Sequence, residues 1–220
     1  MAGRVPAYVA RFCLPLIAAA CATAAPAQDA VRARQNIEYR LIAPQPVDSG
    51  GKIEVIEFFW YGCIHCYNLE PLLDAWVPKL PADAYFRRIP AVFNERWGHD
   101  ATIYYAFEAL GLLDKVHRAF FDAIHKDRLK TDDAAALAEW LARNGLDPKK
   151  FETTMKSFGV QSKVRRAAQL TANAQIDGTP ALMVHGRYTI STEQGRSREG
   201  MLANAERLIG AVRSSRGAGK

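Results

Sequence analysis

The stretch Ile53-Glu54-Val55-Ile56-Glu57-Phe58-Phe59-Trp60-Tyr61-Gly62-Cys63-Ile64-His65-Cys66 decides how this chain folds. Ile53 to Tyr61 is almost wholly apolar, and its residues are mostly β-branched or aromatic. Such a run predicts a central strand buried on both faces. A helix is expected to follow from Cys63 to about Val77. Pro71 inside it removes an intrahelical bond and predicts a kink. Two cysteines three residues apart, where a strand gives way to a helix, are placed for dithiol–disulfide chemistry.

Upstream, residues 1–27 read as a secretory signal: Arg4 and Arg11, then the apolar and small residues Phe12 to Ala24, then Ala25-Pro26-Ala27 as a small-x-small cleavage site before Gln28. The apolar part is short for a membrane span, which takes roughly 20 residues. Lipoprotein processing at Cys21, after Ala18-Ala19-Ala20, is a competing reading, although that box lacks a bulky residue three positions earlier. A retained N-terminal anchor is another. Cleavage after Ala27 leaves 193 residues, and the net charge falls from +6 to +4. It also removes Cys13 and Cys21, so Cys63 and Cys66 become the only cysteines. An oxidising compartment then lets their disulfide persist. The mild, dispersed basic excess favours solubility and does not call for nucleic acid.

Downstream, Ile37–Ile42 alternates enough for a short strand, which the Pro44/Pro46 pair and Asp48-Ser49-Gly50-Gly51 end as a loop. Ala84–Ile89 predicts a strand closed by Pro90. From about His99 to Gln175 apolar residues recur three and four apart: Leu113, Val116, Phe120 and Ile124; then Leu137, Trp140 and Leu141; then Phe151, Met155 and Phe158. Thr131 and Asp147-Pro148 are expected helix starts. Strand character returns at Ala181–Val184 and Arg187–Ile190, with His185-Gly186 as a hairpin turn. A last amphipathic helix carries Met201, Leu202, Ala205, Leu208, Ile209 and Val212, and the tail after Arg213 is expected to fray. The order is α/β, a thioredoxin-like fold with a helical domain inserted in the sheet. The expected organisation is a signal over 1–27, the first part of the thioredoxin-like domain over 28–97, a helical insertion over 98–175, the second part over 176–213, and a disordered tail over 214–220.

Cys63 falls at the N-cap of its helix, where the free N–H groups of His65 and Cys66 and the positive end of the dipole favour its thiolate. His65, when protonated, adds positive charge. Cys66 lies one turn on, on the same face and less exposed, within reach to displace a substrate from Cys63. Cys63 is therefore the expected nucleophile and Cys66 the resolving residue. Cys-x-x-Cys also suits zinc, but a structural site needs two more ligands, and His99, His117, His125 and His185 are scattered without ligand spacing. No metal is expected, and those four histidines read as surface or helix-packing residues. Glu57 sits mid-way along the apolar strand. Two readings stay open: a buried acid with a raised pKa that exchanges a proton with Cys66, or a carboxylate paired with a cation of the helical block or facing solvent. Glu54 is expected at the surface. Sequence alone gives a trans Thr179-Pro180 bond.

The run Glu57-Phe58-Phe59-Trp60-Tyr61-Gly62-Cys63-Ile64-His65-Cys66-Tyr67, the helical insertion, Gly178-Thr179-Pro180 before a strand and the C-terminal helix together resemble the DsbA family of exported thiol:disulfide oxidoreductases, over essentially the whole mature chain. The resemblance implies a disulfide donor acting through a mixed disulfide on Cys63. It makes Glu57 the buried acid beneath the dithiol and Pro180 a cis-proline facing the cysteines. Thr179, Pro180 and Ile64 then flank the substrate, and Glu70 falls near an acidic position that follows the motif. It also implies a periplasmic location, reduced exported proteins as clients, re-oxidation by a DsbB-type membrane partner coupled to quinone, and no cofactor beyond the Cys63–Cys66 disulfide. Nothing in the sequence suggests an obligate dimer, and a monomer is expected. One departure is plain: the family has Pro after the first cysteine and this chain has Ile64, which bears on redox poise. Other readings are an isomerase, for whose dimerisation domain the residues 28–52 between the expected cleavage site and Ile53 are too few; a reductase of cytochrome maturation, which usually lacks so large a helical block; and a chaperone using an apolar face near Trp60, Tyr61 and Pro180.

Overall fold

In the computed structural model, which describes residues 1–3 and 34–217, strand β2 (Ile53–Phe59) is buried at every position. Its neighbours explain why. It pairs in parallel with β3 (Ala84–Pro90) and antiparallel with β4 (Ala181–Val184). β4 continues antiparallel to β5 (Tyr188–Ser191), and β5 to the short β1 (Arg40–Leu41), giving the order β1-β5-β4-β2-β3. Both faces of this sheet are covered. Ile56, Phe58, Ala181 and Met183 pack with the helical layer built from residues 101–176. Ile53, Val55, Leu182 and Val184 pack with α1 (Ile64–Trp76), through Leu69 and Leu73, and with the last helix, through Met201, Leu208 and Ile209. Each such side chain taken out of water contributes about 1.5–3 kcal/mol.

The helical layer comprises α2 (Glu95–Ala109), α3 (Leu113–His125), α4 (Ala134–Arg143), α5 (Pro148–Met155) and α6 (Phe158–Asn173). The hairpin then leads to α7 (Thr192–Gly195) and α8 (Arg198–Gly217). Val184 and Arg187 close the turn around His185 and Gly186, both at positive φ (50° and 64°), the backbone that a tight hairpin requires.

Several expectations change. β1 is shorter than Ile37–Ile42 because Asn36, at φ 65°, and the bonds of Ile37 and Glu38 to the Arg34 carbonyl make a turn there. β3 includes Pro90 as its last residue, paired with Phe59, which an edge strand tolerates. The first helix of the insertion begins at Glu95, where the Asn94 side chain caps Trp97 N–H at 3.1 Å. Asp133, not Thr131, caps α4; the Thr131 hydroxyl instead donates to buried Asp100. Phe158 leaves the third stripe: it opens α6 beyond the Ser157 cap and is 81% exposed. Glu54 is fully buried, because Arg87 Nε reaches it at 2.8 Å and the Asp48 N–H at 3.2 Å. The segment after Arg213 continues α8 to Gly217, with Arg216 donating to the carbonyls of Gly51 and Lys52. Residues 4–33, with Cys13, Cys21 and the expected cleavage site, and residues 218–220 lie outside the described residues.

Candidate active site

β2 ends at Phe59, and Trp60, Tyr61 and Gly62 carry the chain to the N-cap of α1. Trp60 stacks on Trp97 with ring centroids 4.3 Å apart, and its indole N–H donates to Asp100 at 2.7 Å. Held there, the Trp60 ring lies 2.3 Å from where a Cβ on residue 62 would sit, so only glycine fits before Cys63. Cys63 takes extended backbone angles (φ −87°, ψ 113°), its N–H bonds to the Trp60 carbonyl at 2.9 Å, and its sulfur accepts from the Cys66 N–H at 3.4 Å. α1 then runs through Pro71 without ending.

Both cysteines are free thiols, Cys63 half-buried and Cys66 fully buried. A hydrogen bond from the Cys66 thiol, others from the Thr179 side chain and the N–H groups of Cys66 and His65, together outweigh burial and lower the Cys63 pKa to about 5. Burial pushes the Cys66 thiol well up, and its bond to Cys63 and the nearby Cys63 and Glu57 charges add to this. Facing Cys63 across the site, the Thr179-Pro180 peptide is cis, and the Cys63 sulfur lies 3.3 Å from the Thr179 carbonyl, to which it donates only when protonated. Ile64 stands 47% exposed beside the sulfur, and the His65 side chain is also exposed.

Beneath the dithiol lies a buried charged cluster. Arg88, opposite Glu57 in the β2–β3 register, donates to Glu57 Oε2 at 3.1 Å and to both Glu70 oxygens at 3.2 and 2.9 Å. The cation thus comes from the neighbouring strand, not from the helical block. Burial, and then the Glu70 charge, raise the Glu57 pKa to about 8 against the pull of Arg88. Burial also works against the Glu70 anion, but His117 and Arg88 outweigh it and hold that carboxyl below its usual range. His117 Nδ1 lies 2.9 Å from the Tyr61 hydroxyl and Nε2 lies 3.5 Å from Glu70 Oε1. His125, two turns along α3, places Nε2 2.8 Å from the Tyr61 carbonyl and stacks on Tyr67.

Cys63, Cys66, Glu57, Thr179, Pro180, Ile64 and His65 therefore share one site. Arg88, His117, Tyr61 and His125 were not anticipated. The doublet Arg87-Arg88 inside a strand beside an acid-bearing one was the available signal for the first. Among the described residues no group of three or more histidines, cysteines and carboxylates is placed to hold a metal ion.

Residues 84–205 match the model of the DSBA-like thioredoxin domain. The thiol:disulfide interchange protein DsbA of Azotobacter vinelandii is 42% identical over 182 residues, which cover 83% of this chain and 84% of that one. The chain belongs to the DsbA family. Its counterpart from Pseudomonas aeruginosa strain PAO1 is 38% identical over 84% of this chain and 87% of its own length. The crystal structure of Pseudomonas aeruginosa DsbA superposes with a TM-score of 0.77, at 38% identity, covering 83% of this chain and 95% of that one. NmDsbA1 from N. meningitidis does so with a TM-score of 0.72 at 29% identity, covering 83% and 95%. The fold is thus thioredoxin-like in the DsbA manner, and the protein is a thiol:disulfide oxidoreductase of the interchange type. Ile64 follows the first cysteine of this DsbA-family dithiol, on the outer surface of the site.

Proposed function

We propose that this DsbA-family protein gives its Cys63–Cys66 disulfide to reduced proteins exported to the periplasm, where it arrives by cleavage of its own signal. A substrate thiolate attacks Cys63 Sγ, the Cys63–Cys66 bond breaks, and Cys66 leaves as a thiolate that takes a proton from Glu57. A second substrate thiolate then attacks the substrate sulfur of the mixed disulfide and releases Cys63 as its stable thiolate. Two electrons pass from substrate to protein, and a DsbB-like, quinone-linked membrane partner removes them. The residues use no cofactor beyond this disulfide. In the reverse direction Cys63 is the attacking thiolate and Cys66 resolves. Thr179, Pro180 and Ile64 line the approach of an extended substrate, and the backbone N–H of His65 supports the Cys63 anion. Among the described residues no helix is long and apolar enough to cross a membrane.

The observation that carries this reading is the asymmetry of the pair: an accessible sulfur held as thiolate beside a buried thiol. Stabilising the reduced form in this way makes the disulfide a strong oxidant. Equilibration against glutathione mixtures tests it. The reading requires a disulfide that oxidises glutathione readily; a strongly reducing pair would point to a reductase. Cys63→Ser is expected to abolish oxidation of a dithiol peptide; in Cys66→Ser, given the peptide in its disulfide form, the Cys63 thiolate should attack one peptide sulfur, release the other as a thiolate and hold the mixed disulfide, seen as a peptide adduct by mass spectrometry.

A further inference from the structure

Two carboxylates, Glu57 and Glu70, flank one guanidinium in a buried space, and Arg88 balances one negative charge. A single proton shared by the two acids completes the balance, and where it rests matters, because Glu57 lies under the cysteines and Glu70 does not. Arg88 touches both acids and does not decide the question alone. His117 touches only one of them. Its Nδ1 meets the Tyr61 hydroxyl at 2.9 Å. If Nδ1 carried the ring proton, the Nε2 lone pair would face Glu70 Oε1 at 3.5 Å, a repulsive arrangement. With Tyr61 O–H donating to Nδ1, the ring proton sits on Nε2, a buried nitrogen with no hydrogen-bond partner and with Glu70 Oε1 3.5 Å away.

We propose that His117 is a positioning residue that keeps Glu70 ionised and so assigns the shared proton to Glu57, the carboxyl next to Cys66. This deepens the reading above, in which Glu57 supplies a proton to the departing Cys66. The groups facing His117 are Tyr61 at the end of β2, Glu70 and the more distant Asp74 on α1, Arg88 on β3, and the Tyr104 ring of α2 at 6.0 Å. Phe59 and Phe121 pack edge-on against the imidazole and keep it dry. Burial lowers the His117 pKa, in keeping with a neutral ring that acts as a donor. Through His117 the helical layer thereby acts on the charge beneath the dithiol, with no contact to either sulfur needed.

The test reads carboxyl titration directly, by ¹³C NMR of glutamate-labelled protein in the dithiol form, with Glu57→Gln and Glu70→Gln to assign the signals. In the wild type the Glu57 midpoint is expected near 8. His117→Asn keeps an acceptor for Tyr61 but cannot donate to Glu70. It should lower the Glu57 midpoint by about one pH unit or more and raise that of Glu70. His117→Gln, whose amide can occupy the Nε2 position, should restore both. A folded His117→Asn protein with both midpoints unchanged overturns the proposal. Should that variant fail to fold, Tyr61→Phe removes the bond that fixes the tautomer; a smaller shift in the same direction supports the assignment, and an unmoved Glu57 overturns it. Peptide oxidation by Glu57→Gln separately decides whether Glu57 serves Cys66, so failure of that role and failure of the His117 assignment are told apart.

Discussion

An ordinary cysteine ionises near 9.0 and Cys63 ionises near 5, so over that interval the unfolded chain holds a proton that the folded, reduced protein does not. Stability therefore rises with pH between about 5 and 9, is fully present above 9, and is lost as pH falls through 5. The ceiling is about 1.4 kcal/mol per pH unit, lowered by solvent screening at a half-exposed sulfur. Glu57 acts in the opposite sense. Burial raises its pKa from 4.5 to about 8, so its contribution is intact below 4.5 and fades as pH rises through 8. The two slopes oppose each other across neutrality, which masks both in the wild type. Differences uncover them. In urea unfolding, the stability gap between the reduced wild type and reduced Cys63→Ser should widen from pH 5 to 9. Glu57→Gln should gain on the wild type from pH 4.5 to 8. A pH-independent gap in either series would remove the corresponding perturbed group.

At the scale of elements, the N-terminus of α1 carries most of the chemistry. Ile64 occupies its first helical position, where an N–H has no partner within the helix. The donors that stabilise the Cys63 thiolate are Cys66, Thr179 and the N–H of His65, none of them Ile64. Cys63 already holds the extended backbone that a following proline demands. Ile64→Pro should therefore leave the Cys63 titration within about half a pH unit of wild type while changing the exposed apolar surface beside the sulfur. Thiolate absorbance against pH checks this; a larger shift would mean that the Ile64 N–H or side chain supports the anion. The same helix shows what the sequence disclosed. Strand β2, the Cys63 cap and the β4–β5 hairpin were legible because period, β-branching and turn chemistry are local signals. Thr131 and Phe158 misled because local spacing cannot see that Asp100 claims the Thr131 hydroxyl or that the Ser157 cap breaks the stripe before Phe158. The Arg88–Glu70–His117 cluster stayed hidden for the same reason: its members come from β3, α1 and α3, and only the folded register brings them together.

Across the whole molecule, one apolar core joins the sheet to the helical layer: Ile56, Phe58 and Phe59 of β2 belong to the same buried cluster as Phe120, Phe121, Trp140 and Phe151. Polar ties reinforce it at the dithiol. Buried Asp100 of α2 accepts from the Trp60 indole at 2.7 Å and from the Thr131 hydroxyl in the loop between α3 and α4, with Arg96 at 3.8 Å. The helical layer shares its core with one face of the sheet, so the two should open as one cooperative unit, although the other face packs separately with α1 and α8. Asp100→Ala strands the buried Thr131 hydroxyl and the part-buried Trp60 indole N–H and should cost about 1–3 kcal/mol. If the layers are one unit, that loss falls equally on both. Amide hydrogen exchange would then show the slowest amides of β2 and of α3 weakening by the same free energy, although only β2 leads directly to Trp60. Weakening confined to the helical layer, with β2 protection intact, would mean that the insertion opens independently. The dithiol would then sit on a rigid sheet beneath a layer able to move away from it.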